Sequence, residues 1–557
     1  MTDGPSAPRT PTAVDEIAEG WIDTTLQLHP EWHVYLGRPG REGEYGDYSP
    51  AGAEADVAAA TSALARLEAA RPVDEVDEIT KRDLGRELRL ALDRAAARFE
   101  LRDLKVIASP AQEIRDIFDL SPASGEDDWR IIAKRLGNVR GAIDGYVATL
   151  REGVAQGVTP ARRQVEGVLE QIRVYSAPDG LFASLADRGS AAAPAAARDL
   201  AAGAAAAREA YDVLADFLAD ELGPAATTTD AVGRELYAIA SRGFLGATVD
   251  LDETYEWGVE ELARMRVEQE AIADEIRPGA GVREAISLLE ADSARKLHGT
   301  DALRAWMQEK SDQAIAELNG VHFDIPEPVR RLECMIAPTQ EGGIYYTPPS
   351  EDFSRPGQMW WSVPPGVEDF DTWRELTTVY HEGVPGHHLQ NGQAICNRDE
   401  LNTWRRNTFV SGHGEGWALY AERLMEQLGY LEDPAERLGM LDGQRMRAVR
   451  VVLDIGVHLG KPRLDGTGVW DFDYALEVMR ENVNMNEGFL RFETMRYFGW
   501  PGQAPSYKVG QRYWEQLRDE AKARAGAAWD IKAWHKRALD IGGVGLDTLR
   551  WALGRQA

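Results

Sequence analysis

Cysteine is nearly missing from this 557-residue chain: Cys334 and Cys396 are the only two, and neither belongs to a CxxC pair. That excludes a thiolate zinc cage and argues against a disulfide framework. Long apolar runs are also missing, since nothing approaches the about 18 uninterrupted apolar residues a membrane-spanning helix requires. The segment Met1–Pro11 is polar and Pro-rich, with no basic start followed by an apolar stretch. It does not read as an export signal, so the expectation is a cytoplasmic protein. Positive charge is outweighed, the formal net charge being −30, and no basic run interrupts the acidic surface. Phosphate backbones and anionic lipid are repelled by such a surface, so neither nucleic acid nor membrane is an expected partner. A repeat of fixed period is missing as well.

What remains is ample material for buried cores, with 44% hydrophobic residues and 16 Trp. The length suits two or three packed subdomains. Ala58–Ala70, Asp77–Leu101, Asp127–Gln156 and Pro160–Tyr175 carry apolar residues at three- and four-residue spacing, which predicts amphipathic helices. Ala191–Ala215 is so rich in Ala that it predicts a helix packed closely on its neighbours. A second helical series runs from Leu251 through Leu318. Between Val329 and Pro364 the texture changes to short β-branched and aromatic runs bounded by Gly, Pro, Ser and Asp, which predicts a small sheet. The organisation read from this is an N-terminal helical region over 12–250 and a catalytic region over 251–557, with the sheet at about 329–364.

Five of the ten histidines fall between His381 and His458. The run His381-Glu382-Gly383-Val384-Pro385-Gly386-His387-His388 follows an amphipathic stretch, Thr372–His381, that predicts a helix. A zinc hydrolase needs neutral imidazoles, an open position for water and a carboxylate beside that water. The usual spacing, His-Glu-x-x-His on one helix, is interrupted here by Pro385. A straight helix would place His381 and His387 about 9 Å apart. Two nitrogens on one zinc lie only roughly 3.4 Å apart. Pro385 lacks an N–H and Gly383 and Gly386 permit unusual backbone angles, so a bulge between Gly383 and Pro385 is expected to return His387 to the His381 side. His388 is the alternative second ligand. Beyond them, Ser411–Glu422 reads as a glycine-rich turn opening a helix, with Glu415 in its first turn and Glu422 seven residues on, along the same face. Glu415 as third ligand and Glu422 as a hydrogen-bond acceptor to a ligand imidazole make a coherent site. The alternative is two ordinary surface glutamates.

Four blocks, His381–Gln390, Gly414–Glu422, Arg450–His458 and Pro501–Gly510, resemble the signature blocks of a bacterial family catalogued as domain of unknown function 885. That family is similar, distantly, to zinc peptidases of the thimet-oligopeptidase and Taq-carboxypeptidase types, in which a Glu ligand is followed by another Glu seven residues later. The resemblance implies a mainly α, multi-helix zincin-like architecture with a small sheet beside the metal-site helix and a deep cleft. It implies one Zn2+, held by His381, His387 and Glu415, and a peptide or other small acyl substrate. Glu382 would be the general base, and Tyr507 the first candidate oxyanion donor. His458 and Arg450 are second candidates, sharing a helical face with Asp454, where a buried salt-linked contact is the plainer reading. Tyr345, Tyr346 and Lys508 are candidate substrate contacts; half-buried strand aromatics are the plainer reading of the two tyrosines. His29, His33, His298, His322 and His535 read as ordinary residues. The expected function is zinc-dependent peptide hydrolysis; a metal-dependent hydrolase of another amide or ester and a silent binding protein on the same fold are the alternatives.

Overall fold

The computed structural model of the protein describes residues 9–337 and 343–555. Most of it is helix. The first eight residues of the polar N-terminal segment lie outside the described residues, as does 338–342 within the predicted sheet.

The principal helices are α1 (Ala13–Leu28), α2 (Pro50–Ala69), α3 (Glu75–Ala96), α4 (Glu126–Gln156) and α5 (Ala197–Phe217), then α6 (Leu251–Ile276) and α7 (Thr300–Leu318). After the sheet come α8 (Thr372–Glu382), α9 (His387–Cys396), α10 (Ser411–Gln427), α11 (Pro434–His458), α12 (Glu487–Gly499) and α13 (Ser506–Ala525). Their starts follow local chemistry. Thr12 and Asp15 form a capping box on α1, and Asp74 and Asp433 accept backbone N–H groups at the starts of α3 and α11. The Ala-rich stretch is two helices rather than one. It breaks after Ala192, where Pro194 cannot donate to a continuing ladder, and resumes as α5. Its small residues serve the expected close packing: a Cβ on Gly203 would lie 2.7 Å from Leu136 Cβ of α4.

Three apolar cores result. One joins α4, α5 and their neighbours; a second joins α1, α2 and α3 with Trp404; the largest spans Ile79 and Tyr237 to Leu553. Polar ties cross from the N-terminal helices to the rest. Buried Arg405 donates to Thr80 Oγ1 at 3.1 Å and to the Ile541 carbonyl, while Gly545 N–H donates to Asp83 Oδ1 at 2.9 Å.

Among the described residues the predicted sheet is three-stranded. Two outlying strands, β1 (Lys296–His298) and β5 (Asp369–Asp371), pair antiparallel, whereas β2 (Leu332–Ile336), β3 (Ile344–Thr347) and β4 (Gly357–Trp361) form the sheet in the order β2-β4-β3. β2 runs parallel to β4, with Cys334 opposite Met359, and β3 runs antiparallel to it, with Tyr346 opposite Met359. Leu332 and Met359 approach Gly383, just past the end of α8, so the sheet forms one wall behind the histidine segment. A cavity of about 930 Å3 opens between Trp21, Leu28, Trp32 and Phe99 of the N-terminal region and Trp404 and Phe409, which precede α10. No helix among the described residues is long and apolar enough to cross a membrane.

Candidate metal centre

α8 keeps regular bonding up to Gly383, whose N–H donates to Val379 O at 2.9 Å. Regularity then stops. Gly386 N–H reaches back to Tyr380 O at 3.0 Å and His388 N–H to Gly383 O at 3.1 Å, across a Val384–Pro385 peptide that is cis. These bonds span six and five residues instead of four. The chain therefore does not carry a bulge inside one helix, as the spacing predicts, but ends α8 at Glu382 and begins α9 at His387. The Pro385 carbonyl accepts the Trp417 indole N–H at 2.8 Å. Gly386 is required: a Cβ there would stand 1.9 Å from His381 O. The outcome is that the His381 and His387 rings lie 4.9 Å apart, at 90°.

Glu415 arrives from α10. That helix lies against α13 through glycines: a Cβ on Gly416 would meet Gly510 C at 2.4 Å, and one on Gly510 would meet Gly412 O at 2.1 Å. The backbones can touch only because those side chains are absent. Glu415 Oε2 then sits 3.4 Å from His381 Nε2 and 3.7 Å from His387 Nε2. One ligand atom from each of the three residues lies within 4.8 Å of the other two. Ligands about 2.0–2.1 Å from a tetrahedral zinc stand roughly 3.4 Å from one another, so this donor set fits that ion. Behind it, His381 Nδ1–H donates to Glu422 Oε1 at 2.7 Å, which leaves Nε2 for a metal. Gln444 Nε2 donates to Glu422 Oε2 at 3.1 Å. His387 Nδ1 is buried and has no such partner among the described residues.

The electrostatics favour a cation. Burial opposes a proton on His381, yet the bonds to Glu415 and Glu422 outweigh it and carry its pKa up to about 10. Glu415 is pulled well below the usual carboxylate range, burial being overcome by His381 and His387. Glu382, adjacent to His381 and itself buried, moves the other way because desolvation dominates.

The remaining candidates separate. His388 is turned from the cluster: its Nε2 donates to Val329 O at 2.7 Å and its Nδ1 accepts from Tyr346 OH at 2.9 Å, while burial lowers its pKa to about 4. Tyr346 thus holds His388. Tyr345 points to the other face of β3, stacks on Trp360 with ring centroids 6.2 Å apart and is largely exposed. Lys508 is no substrate contact. It is buried, bonded to Gln444 Oε1 at 3.1 Å and Gln511 Oε1 at 2.8 Å, and ion-paired with Glu261 at 3.1 Å. His458 is fully buried, its Nε2 donating to Tyr497 O at 2.9 Å and its ring stacked on Tyr237, which leaves it no access to a substrate. Asp454 accepts from Tyr237 OH at 2.6 Å and from Gly502 N–H at 2.8 Å, so it fixes the loop that leads to α13. Arg450 lies 4.8 Å over the Tyr507 ring, and Tyr507, half-buried in the first turn of α13, is close enough for the Glu415 charge to raise its pKa alongside burial.

Three participants escaped sequence reasoning: Trp417, Gln444 and Arg447. Arg447 stands three residues before Arg450, and its charge acts on Glu382, Glu422 and Tyr507. The three-residue spacing from Arg450 was the available signal. The 930 Å3 cavity is lined by none of His381, His387 and Glu415, although one of its walls, Phe409, packs on Gly414 beside Glu415.

No curated protein matches the chain. Two solved structures share the fold. One, described as "the putative lipoprotein from Colwellia psychrerythraea", has a TM-score of 0.87 at 20% identity, covering 97% of this chain and 98% of its own. The other, "a putative lipoprotein of unknown function from Shewanella oneidensis", has a TM-score of 0.74 at 18% identity, covering 97% and 99%. Lipoproteins are held at membranes by acyl chains, so the fold occurs in proteins described as something other than cytoplasmic, and the cytoplasmic expectation is withdrawn. The family model for "Bacterial protein of unknown function (DUF885)" matches residues 30–553, and the chain belongs to that family.

Proposed function

We propose that this chain is a zinc-dependent peptide hydrolase with a zincin-like centre. The observation that carries the reading is the convergence of His381, His387 and Glu415 with Glu382 next in sequence to one ligand and Glu422 hydrogen-bonded behind it. An ordinary surface cluster has no reason to hold a buried carboxylate beside a His-His-Glu set. A zinc ion held there would supply Lewis acidity, ionising water near neutral pH and polarising the scissile carbonyl.

The chain's own residues supply the rest. Glu382, its pKa raised by burial, accepts the proton of the attacking water and returns it to the leaving amine. Tyr507 donates its hydroxyl to the oxyanion as the carbonyl carbon becomes tetrahedral. Arg450, donating to Tyr497 OH at 2.8 Å and ion-paired with Glu493 at 3.0 Å, is a rigid floor for the Tyr507 ring. Glu422 and Gln444 keep His381 in one tautomer.

The test is Glu382→Gln, which removes the base and no ligand. Zinc content after dialysis against the metal should stay stoichiometric while turnover of a fluorogenic peptide library falls about 100- to 10,000-fold. Unchanged hydrolysis in that variant would sink the mechanism. Ester and non-peptide amide substrates, run beside the peptides, identify the acyl class.

A further inference from the structure

α11 directs a row of long polar side chains at the metal centre. Gln444 donates to Glu422 at 3.1 Å, and Arg450, six residues on, covers Tyr507. Residues three apart share a helix face, so Arg447 stands between the Glu422 side of the centre and the Tyr507 side. Its influence on Glu382, Glu422 and Tyr507 agrees with that position.

The three arginines around Tyr507 have different commitments. Arg450 is ion-paired with Glu493 at 3.0 Å and bonded to Tyr497. Arg496 is ion-paired with Glu493 at 3.0 Å and donates to Gln503 at 2.6 Å. Arg447 has no ion pair among the described residues: its Nη1 donates to Gly443 O at 3.1 Å, one turn back in its own helix, and its buried Nε, like that of Arg496, has no partner there. A guanidinium is a planar fork of five donors that matches a carboxylate. Glu382 and Glu422 lie near enough to feel its charge, yet neither closes an ion pair with it, so the fork is open to an anion brought from outside the chain. Beside a scissile peptide bond the anion at hand is the free carboxylate of the residue about to leave.

We infer that Arg447 receives the free C-terminal carboxylate of the substrate, which makes this a centre that removes carboxyl-terminal residues. The inference rests on the peptide-hydrolase reading and names its substrate class. In the step implied, the water oxygen bonds to the carbonyl carbon, the C–N bond breaks, and the leaving amine takes the proton held by Glu382 while its carboxylate stays on Arg447.

The probes are benzoyl-Gly-Phe and its C-terminal amide, on the zinc-loaded full chain. The free acid should be cleaved with roughly 10- to 100-fold higher kcat/KM than the amide. Arg447→Met should erase that preference by lowering turnover of the acid alone, with zinc content retained, and Arg447→Lys should restore part of it. Equal losses on acid and amide would assign Arg447 to the oxyanion or to structure and overturn the inference, as would a wild type that does not distinguish the two. Calorimetry on the zinc-loaded Glu382→Gln protein, with and without Arg447→Met, provides a readout free of turnover. Binding of the acid but not the amide, lost with Arg447, is the expected result; equal binding of both overturns it. Should the wild type cleave neither compound nor any library peptide, the hydrolase reading fails, and the calorimetric comparison still decides what Arg447 binds.

Discussion

Two buried histidine–carboxylate clusters lie on the helices of the C-terminal half, and they have opposite characters. In the first, His381 faces Glu415 and Glu422 and its pKa rises to about 10. In the second, desolvation lowers the His458 pKa to about 4, and the same effect raises the Asp454 pKa to about 7 despite the bonds from Tyr237 and Gly502. The first cluster is poised for a cation; the second is a neutral imidazole beside a carboxyl that burial pushes toward its protonated form. What separates them is not residue type but count and access. Two carboxylates converge on His381, and Glu415 keeps a partly open edge, whereas His458 has Asp454 Oδ1 at 3.9 Å and a backbone carbonyl, with no solvent at all. Buried ionisable residues are therefore not a site by themselves.

The comparison breaks most sharply at the histidines. His381→Ala should lose zinc altogether, measured by metal analysis after dialysis, and should also cost stability, because Glu415 and Glu422 lose the group that both face. His458→Ala should keep zinc and lose about 3 kcal/mol of stability in urea unfolding, from a cavity and an orphaned Tyr497 carbonyl. Zinc lost from the second variant and kept by the first would reverse the assignment of the two clusters.

Glu422→Gln sharpens the first cluster. It keeps a hydrogen-bonding side chain behind His381 but removes the charge, and chelator competition should show zinc affinity reduced about 10- to 100-fold. An unchanged affinity would mean that Glu422 contributes only packing. Gly386→Ala tests the turn that brings His387 back. Its methyl would overlap the His381 carbonyl, so stability should fall by about 1–3 kcal/mol, and zinc binding with it.

The smallest expected effect belongs to Asp454. Its folded-state pKa of about 7 lies above the ordinary 3.8, so the folded protein binds that proton more tightly than the unfolded chain does. The stability this contributes is complete below the ordinary value and lost as pH rises through 7. Asp454→Asn should therefore gain on the wild type between pH 6 and pH 7, by about 1 kcal/mol in urea midpoints converted to free energy. A gap between the two proteins that is the same at both pH values would remove the protonated carboxyl from the account.

Much of this was readable along the chain. The Asp127–Gln156 helix was legible to within a residue of α4, because its apolar spacing is sustained and Gly157, at φ +67°, ends it. The Ala-rich segment was legible as helix but not as two, although Pro194 was the signal. At the site, the seven-residue spacing of Glu415 and Glu422 and the obstacle of Pro385 were visible, since both are local. The choice between His387 and His388 was not, because it turns on Tyr346 and the Val329 carbonyl, which are remote in sequence. Lys508 and His458 read as candidates for the same reason: a polar side chain in a conspicuous block looks identical in sequence whether it faces a cleft or a core.

The sequence by itself determined the helical texture, the place of the small sheet and the departure from a regular helix after Glu382, since propensity, periodicity and the missing proline N–H act over a few residues. Only the tertiary structure decided that Glu415 meets His381 and His387, that Gln444 backs them through Glu422, and that His458 and Lys508 do not join them. Those outcomes depend on backbones touching at Gly412, Gly416 and Gly510 and on which groups lose their water, and both are properties of packed surfaces rather than of neighbouring residues.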